Sequence, residues 1–485
     1  MSGSSEGTDS SLDMATRFRS LTSVAASDEA LPTAGTHDLR YMSGFGNHFE
    51  TEAVDGALPR GQNSPQFPPF SLYAEQLSGS AFTAPRATNQ RTWLYRLDPS
   101  VKHGRHLPRD HPRLVSSFSG GSAIVAADQL RWRPLPIPLP IPHAGPADGI
   151  DWVDGLLTMA GAGSAESKIG LAIHLYAFNT GMRVRGRSFS NADGDLLIVP
   201  QAGALLLTTE LGRLLVVPGE IAVVPRNVIF AVDPGPAAAD GCRGYVLETF
   251  CDAHWAPVDK GPIGANGLAE QRDFQYPTAW FEDKEEKHVT TAKVQGALFD
   301  RARTHSPFDV AAWHGNYCPF KYDLARFRAM NTVTVDHADP SIFTVLTLPS
   351  AEPGIPSVDF VCFPPRWMCA EQTFRPPYFH RNCMAEFMGL IDGRYDAKVG
   401  FQPGGCSLHN VGTPHGPDSA TFHAAIQTDT FAPAKVGGMA FMFESRLPLR
   451  LSAIAADEGS GLFDTEYCQC WDGLPRAQVP RAADQ

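Results

Sequence analysis

The sequence predicts a mainly β protein, with two β-rich domains of antiparallel sandwich or jelly-roll type and few helices. Three observations carry this. Between residues 196 and 232, short apolar runs (196–199, 204–208, 214–217, 221–224, 228–232) alternate with turn signals at Pro200, Gly203, Gly212, Pro218-Gly219 and Pro225, the spacing of a sandwich or jelly roll. Amphipathic stretches of helix length are scarce. The 40 prolines and 44 glycines suit a chain with many turns and are costly inside helices.

Each region follows from its composition. Residues 1–35 are rich in Ser, Thr, Ala and Asp without an apolar signal core, which reads as a disordered leader. The remaining length exceeds what one hydrophobic core usually supports, so two domains are expected: an N-terminal β-sandwich at 36–324 and a C-terminal domain at 325–485. The Gly-, Asn-, Pro- and aromatic-bearing stretch 314–324 is the expected boundary. The Pro-Leu-Pro-Ile repeats within 132–146 predict an extended arm at the surface or at an interface. In the second region, 360–363, 386–391 and 439–443 read as strands.

Charge and cysteine usage narrow the function. A formal net charge of -12 argues against a nucleic-acid surface, which needs a basic face. No apolar run reaches the roughly 18 residues of a membrane span. Nine cysteines, scattered from Cys242 to Cys470, do not form a disulfide framework in a chain this long, so a reducing, cytoplasmic location is expected. Cys468 and Cys470, a single C-x-C, read as two free thiols.

The chemistry concentrates in 376–415. His380, Asn382, Glu386 and Gly393 reproduce the spacing of the first cupin motif, with Asn382 where a second His usually stands. Pro403, Gly405 and His409 resemble the second motif, with His409 one residue late. The C-terminal domain is therefore read as a cupin-like jelly roll. Two neutral imidazoles and one carboxylate on one side of an iron(II) ion leave open positions for substrate and dioxygen. A histidine beside aromatics, as His380 is, is by itself more often structural. Glu386 changes that, because a carboxylate between Cys383-Met384 and Phe387-Met388 is expensive to bury without a cation. The third ligand is His409 by cupin spacing, or His415 if the turn 412–417 holds it at a loop tip.

An internal comparison extends the pattern. Laying Pro218-Gly219 over Pro403-Gly404 puts Val224 opposite His409, and laying Gly203 over Gly393 puts Leu196 opposite Glu386 and Ser190 opposite His380. The earlier half reads as a related roll lacking ligands, hence one metal per chain.

The runs 41–48 (YMSGFGNH), 261–269 (GPIGANGLA), 313–317 (WHGNY) and 336–343 (DHADPSIF), with the ligand region itself, resemble the homogentisate 1,2-dioxygenase family from about residue 38 to about residue 472. The resemblance implies iron ligands at His380, Glu386 and His415, and it makes His409 a residue behind the ligands or on the substrate side. It implies an acid/base histidine at His337, which on sequence grounds alone is a polar turn residue. Tyr395 falls where the family has a substrate-contacting tyrosine, Arg381 and Asn382 flank the first ligand, and His415 is expected at the substrate as well. Tyr395 and Arg381 are the candidates for holding the acetate arm, ahead of Lys398. The implied reaction takes homogentisate and O2 to maleylacetoacetate in a homo-hexamer, a dimer of trimers. The alternatives are another cupin-type aromatic dioxygenase, such as one acting on gentisate, and a β-roll binding protein without turnover.

Overall fold

The computed structural model describes residues 39–479 apart from 122, 140–147, 237, 239, 260–267 and 331. The expected leader, residues 140–146 of the Pro-rich arm and most of the 261–269 run lie outside the described residues. The chain is mainly β, and among the described residues Ser419–Gln427 is the single α-helix.

The five apolar runs between 196 and 232 form strands Asp195–Ala202, Leu205–Thr209, Gly212–Val216, Glu220–Val224 and Phe230–Pro234. Alternation sorts them into two facing layers. One is a ten-stranded sheet centred on Asp195–Ala202, Cys242–Thr249 and Ile169–Phe178; the other is a seven-stranded sheet that includes Leu205–Thr209 and Arg187–Asn191. Trp152 fills the space between, with Phe189 at 5.9 Å and Phe230 at 5.6 Å between ring centroids, both edge-on. Such burial is the main stabilising term of the roll.

A second seven-stranded sheet runs in the order Ala256–Pro257, Thr344–Pro349, Pro356–Phe363, Met439–Ser445, Ala385–Asp392, Cys406–His409 and Leu130–Trp132. It packs back to back on the ten-stranded sheet. Tyr245 meets Phe441 edge-on at 4.8 Å, and its hydroxyl donates to Gly405 O at 2.8 Å. Along Ala385–Asp392 the period-2 pleat then divides the side chains: Ala385, Phe387 and Ile391 join the large core, while Met388 and Leu390 belong to a second, smaller cluster on the outer face. Glu386 shares that outer face.

The two rolls repeat one topology. In the ten-stranded sheet, Leu156–Ser164, Ile169–Phe178, Cys242–Thr249, Asp195–Ala202 and Glu220–Val224 are neighbours in the same order as Thr344–Pro349, Pro356–Phe363, Met439–Ser445, Ala385–Asp392 and Cys406–His409. Register agrees with the comparison drawn from sequence: Leu196 pairs with Val224, and Glu386 pairs with His409. The superposed turn glycines match too. Gly203 and Gly393 have φ of 73° and 75°, and Gly219 and Gly404 have 94° and 88°, all in the region that a side chain disfavours.

Two features lie beyond the sequence reading. The stretch 314–324, where the boundary is expected, is itself ordered β-structure: Val310–Gly315 and Phe320–Asp323 are strands and Tyr317 is 1% exposed, its aromatics being core residues. The halves also lend each other strands. Leu130–Trp132 and Ala256–Pro257 complete the second roll's sheet, and Arg450–Leu451 pairs with Leu156–Ser164 in the first.

Candidate metal centre

His380 and His415 end two separate loops that meet in an isolated antiparallel bridge, and Glu386 stands on the adjoining strand. One ligand atom from each of His380, Glu386 and His415 lies within 4.8 Å of the others. His380 Nε2 is 3.3 Å from Glu386 Oε1, and His415 Nε2 is 2.9 Å from Glu386 Oε2.

The opposite ring nitrogens fix the chemistry. His380 Nδ1 lies 2.7 Å from Tyr378 O and His415 Nδ1 lies 2.9 Å from Thr413 O. A carbonyl only accepts, so each Nδ1 carries a proton, and in the tautomer this selects for a neutral ring the Nε2 lone pair faces the Glu386 oxygens. Lone pairs facing a carboxylate repel unless a cation sits among them. Two imidazoles and one buried carboxylate are the donor set of a divalent transition-metal site, with the Tyr378 and Thr413 carbonyls orienting the rings. Burial alone would raise the Glu386 carboxyl, but its close contacts with the His380 and His415 rings outweigh it and hold it down to about 2. Asn382 Nδ2 donates to Glu386 Oε1 at 2.5 Å, orienting the carboxylate.

A cavity of about 770 Å³ opens beside His380 and Glu386, within the range of small-ligand sites. Its floor is the outer face of the second roll's sheet and its cover comes from loops. His337 lines it with Nε2 buried and unpartnered, while Nδ1 lies 3.2 Å from Ala338 O. Tyr378 stands between the two histidines, 5.3 Å from the His337 ring and 5.4 Å from that of His380. Tyr395 and Asn382 line the cavity, and Arg381 lies exposed at its rim.

Two expectations need correction. His409 does not reach the substrate cavity: it is fully buried behind His415, their rings stacked at 4.2 Å and 9°. His409 Nε2 is held there by Tyr467 OH at 2.9 Å and Lys398 Nζ at 3.0 Å. His415 lines a shallower groove with Phe379, Pro414 and Trp471 rather than the main cavity, since its ring is pinned between His380 and His409. Lys398 likewise turns inward over the Tyr467 and Trp471 rings. Burial draws its ammonium down to about 7.

Among the charged cavity residues, sequence reading missed Asp259, Asp359, Arg366, Arg375, Asp396 and Glu444. Glu444 carried the same signal as Glu386, a lone carboxylate in an otherwise apolar strand. Burial, then the charges of Glu386 and Asp359, push its carboxyl up to about 7. A second convergent group among the described residues, Asp98, His305 and Asp309, already holds its own cations: Arg96 reaches Asp309 at 2.7 Å and Lys102 reaches Asp98 at 2.5 Å.

The comparisons with known proteins cover nearly the whole chain. A family model described as homogentisate 1,2-dioxygenase N-terminal matches residues 40–324, and its C-terminal counterpart matches 325–478. Relatives named homogentisate 1,2-dioxygenase are 54% identical in Arabidopsis thaliana (90% of this chain, 93% of that protein) and 53% identical in Oryza sativa subsp. japonica (93% and 95%). Another in Dictyostelium discoideum is 53% identical over 90% of this chain and 97% of its own length.

Proposed function

The chain belongs to the homogentisate 1,2-dioxygenase family and is a ring-cleaving dioxygenase of phenylalanine and tyrosine catabolism, and we propose that it holds iron(II) on His380, Glu386 and His415 and acts on homogentisate. Both atoms of O2 enter the product, maleylacetoacetate, as the ring opens between the carbon bearing the acetate arm and its hydroxyl-bearing neighbour. The observation that carries this reading is the convergence of two Nε2 lone pairs and one carboxylate beside a substrate-sized cavity. Bound iron(II) supplies a path for electrons from the singlet aromatic ring to triplet dioxygen, a reaction otherwise spin-forbidden.

The protein's own groups do the rest. His337 offers an unpartnered, buried Nε2 to the cavity, where it accepts or returns the proton of a substrate hydroxyl. Tyr395 and Arg381 hold the acetate arm; a hydroxyl donor and a guanidinium suit a carboxylate in an otherwise acidic chain. Asn382 keeps the Glu386 carboxylate turned to the metal. His409 backs the His415 ring by stacking.

The proposed assembly is a homo-hexamer made of two trimers, working in the cytoplasm. All nine cysteines are free thiols, which suits a reducing compartment. No helix among the described residues is long and apolar enough to cross a membrane. The test is anaerobic loading with iron(II), followed by oxygen uptake. Uptake with homogentisate and none with gentisate supports the assignment; equal uptake with both, or none with either, refutes it.

A further inference from the structure

One row of residues crosses the second roll's sheet in register: Thr347, Asp359, Glu444, Glu386 and His409. The matching row of the first roll is Gly161, Ala172, Glu248, Leu196 and Val224. Four of the five positions differ in chemistry between the rolls. The exception is the third, which is glutamate in both.

The two glutamates are treated in opposite ways. Glu248 is 1% exposed and fully paired, with Lys293 Nζ at 2.7 Å, Asn191 Nδ2 at 2.7 Å and His174 Nε2 at 3.2 Å. Lys293 also reaches Asp193 at 2.7 Å, so the interior of the first roll is closed by a plug of paired charges. Glu444 faces the cavity of the second roll beside Met388 and Met442. It accepts no hydrogen bond from any described residue, and it is not among the three convergent metal-binding groups. An unpaired carboxyl against thioether and aromatic walls is costly unless a ligand satisfies it.

Its surroundings say what kind of ligand group that is. The cavity floor carries Asp359, Glu386 and Glu444, all on sheet strands and with no basic residue among them, whereas every arginine of the lining, Arg366, Arg375 and Arg381, comes from the cover, together with Asp259, Asp339 and Asp396. A ligand carboxylate is repelled from the floor and drawn to the cover. A hydroxyl suits the floor.

We propose that Glu444 is a specificity-determining residue that hydrogen-bonds the second ring hydroxyl of the substrate, the one not presented to the metal. This rests on the homogentisate reading above. Glu444 thereby selects dihydroxy over monohydroxy phenylacetates, and with Asp359 it sets the acetate arm toward the arginines.

The test is calorimetric binding to anaerobic, iron(II)-loaded protein of homogentisate and of 2-hydroxyphenylacetate, which lacks that hydroxyl. Glu444→Leu is expected to weaken homogentisate about tenfold or more while 2-hydroxyphenylacetate binds as in the unaltered protein, and Glu444→Gln, which keeps an acceptor, is expected to recover most of the loss. Equal weakening of both ligands, no weakening of either, or loss of iron from the variants overturns the proposal. Should Glu444→Leu not fold, the unaltered protein decides: it must bind homogentisate at least about tenfold more tightly than 2-hydroxyphenylacetate, and equal affinities overturn the proposal. Failure of the parent reading shows separately, as absent oxygen uptake by the unaltered iron-loaded protein.

Discussion

His380 and His415 exchange two backbone hydrogen bonds, each N to O at 2.9 Å, with their rings 4.2 Å apart. The pair is thus held by main chain, independently of what the rings bind. Replacing either ring, or Glu386, should therefore remove the metal without unfolding the protein. His380→Ala, Glu386→Gln and His415→Ala are each expected to carry only background iron by elemental analysis, with unchanged circular dichroism. A variant that keeps a full iron complement would remove that residue from the ligand set.

His337 lines the cavity but is not one of the convergent groups. His337→Gln should retain iron and lose about two orders of magnitude in turnover, the usual worth of a positioned acid or base. Iron assay alongside oxygen uptake separates the two effects. Lost iron with normal turnover per iron would contradict the role given to it.

Asn382 touches the metal site only through Glu386, at 2.5 Å. Asn382→Ala should weaken metal binding by about 10- to 100-fold, as removal of outer-shell partners does. Competition against a chelator of known affinity measures it; an unchanged affinity would mean the Asn382 contact does not orient the carboxylate.

His288 gives a pH dependence of stability. It lies buried in the first roll, 3.0 Å from Ser188 Oγ and paired in register with Arg303. Burial, then the Arg303 charge, hold its imidazole down to about 3 against an ordinary value of 6.5. The unfolded chain takes up this proton below 6.5 and the folded chain only near 3. Its contribution is therefore complete above 6.5 and is lost as pH falls toward 3, reaching about 2 kcal/mol at pH 5. His288→Gln should lose less stability than the unaltered protein between pH 7 and pH 5, read from urea midpoints. Equal losses would place the acid sensitivity elsewhere.

Gly389 lies where the second roll's sheet packs against Tyr245 of the first. A Cβ there would overlap the Phe441 ring and come within 3.0 Å of Tyr245 Cζ. Gly389→Ala should cost about 1–3 kcal/mol, the usual penalty of overpacking, seen as a lower thermal midpoint. An unchanged midpoint would show that the rings can shift.

Much of this was legible in the residues because short-range rules governed it. Turn residues bounded the strands of the first roll to within a few positions, and the burial cost of a lone carboxylate singled out Glu386. Spacing could not choose between His409 and His415. His409 occupies the register position beside Glu386, yet the ring that meets the carboxylate is the one carried by the loop in front of it. The same carboxylate argument applied to Glu444 and went unused, since no neighbouring histidine drew attention to it. Arg375 reaches the cavity from a loop and Arg366 from the short strand Arg366–Met368, and no periodicity encodes the path of either.

The strand Arg450–Leu451, which pairs with Ala160 and Gly161, bears on how the protein is made. Nearly three hundred residues of synthesis separate those partners, so the ten-stranded sheet keeps an unfilled edge until translation is almost finished. A ribosome that stops early, or a nonsense mutation anywhere upstream of residue 450, leaves a nascent chain with that edge open to pair with other chains. Expressing either half alone would be expected to yield aggregates rather than a working fragment.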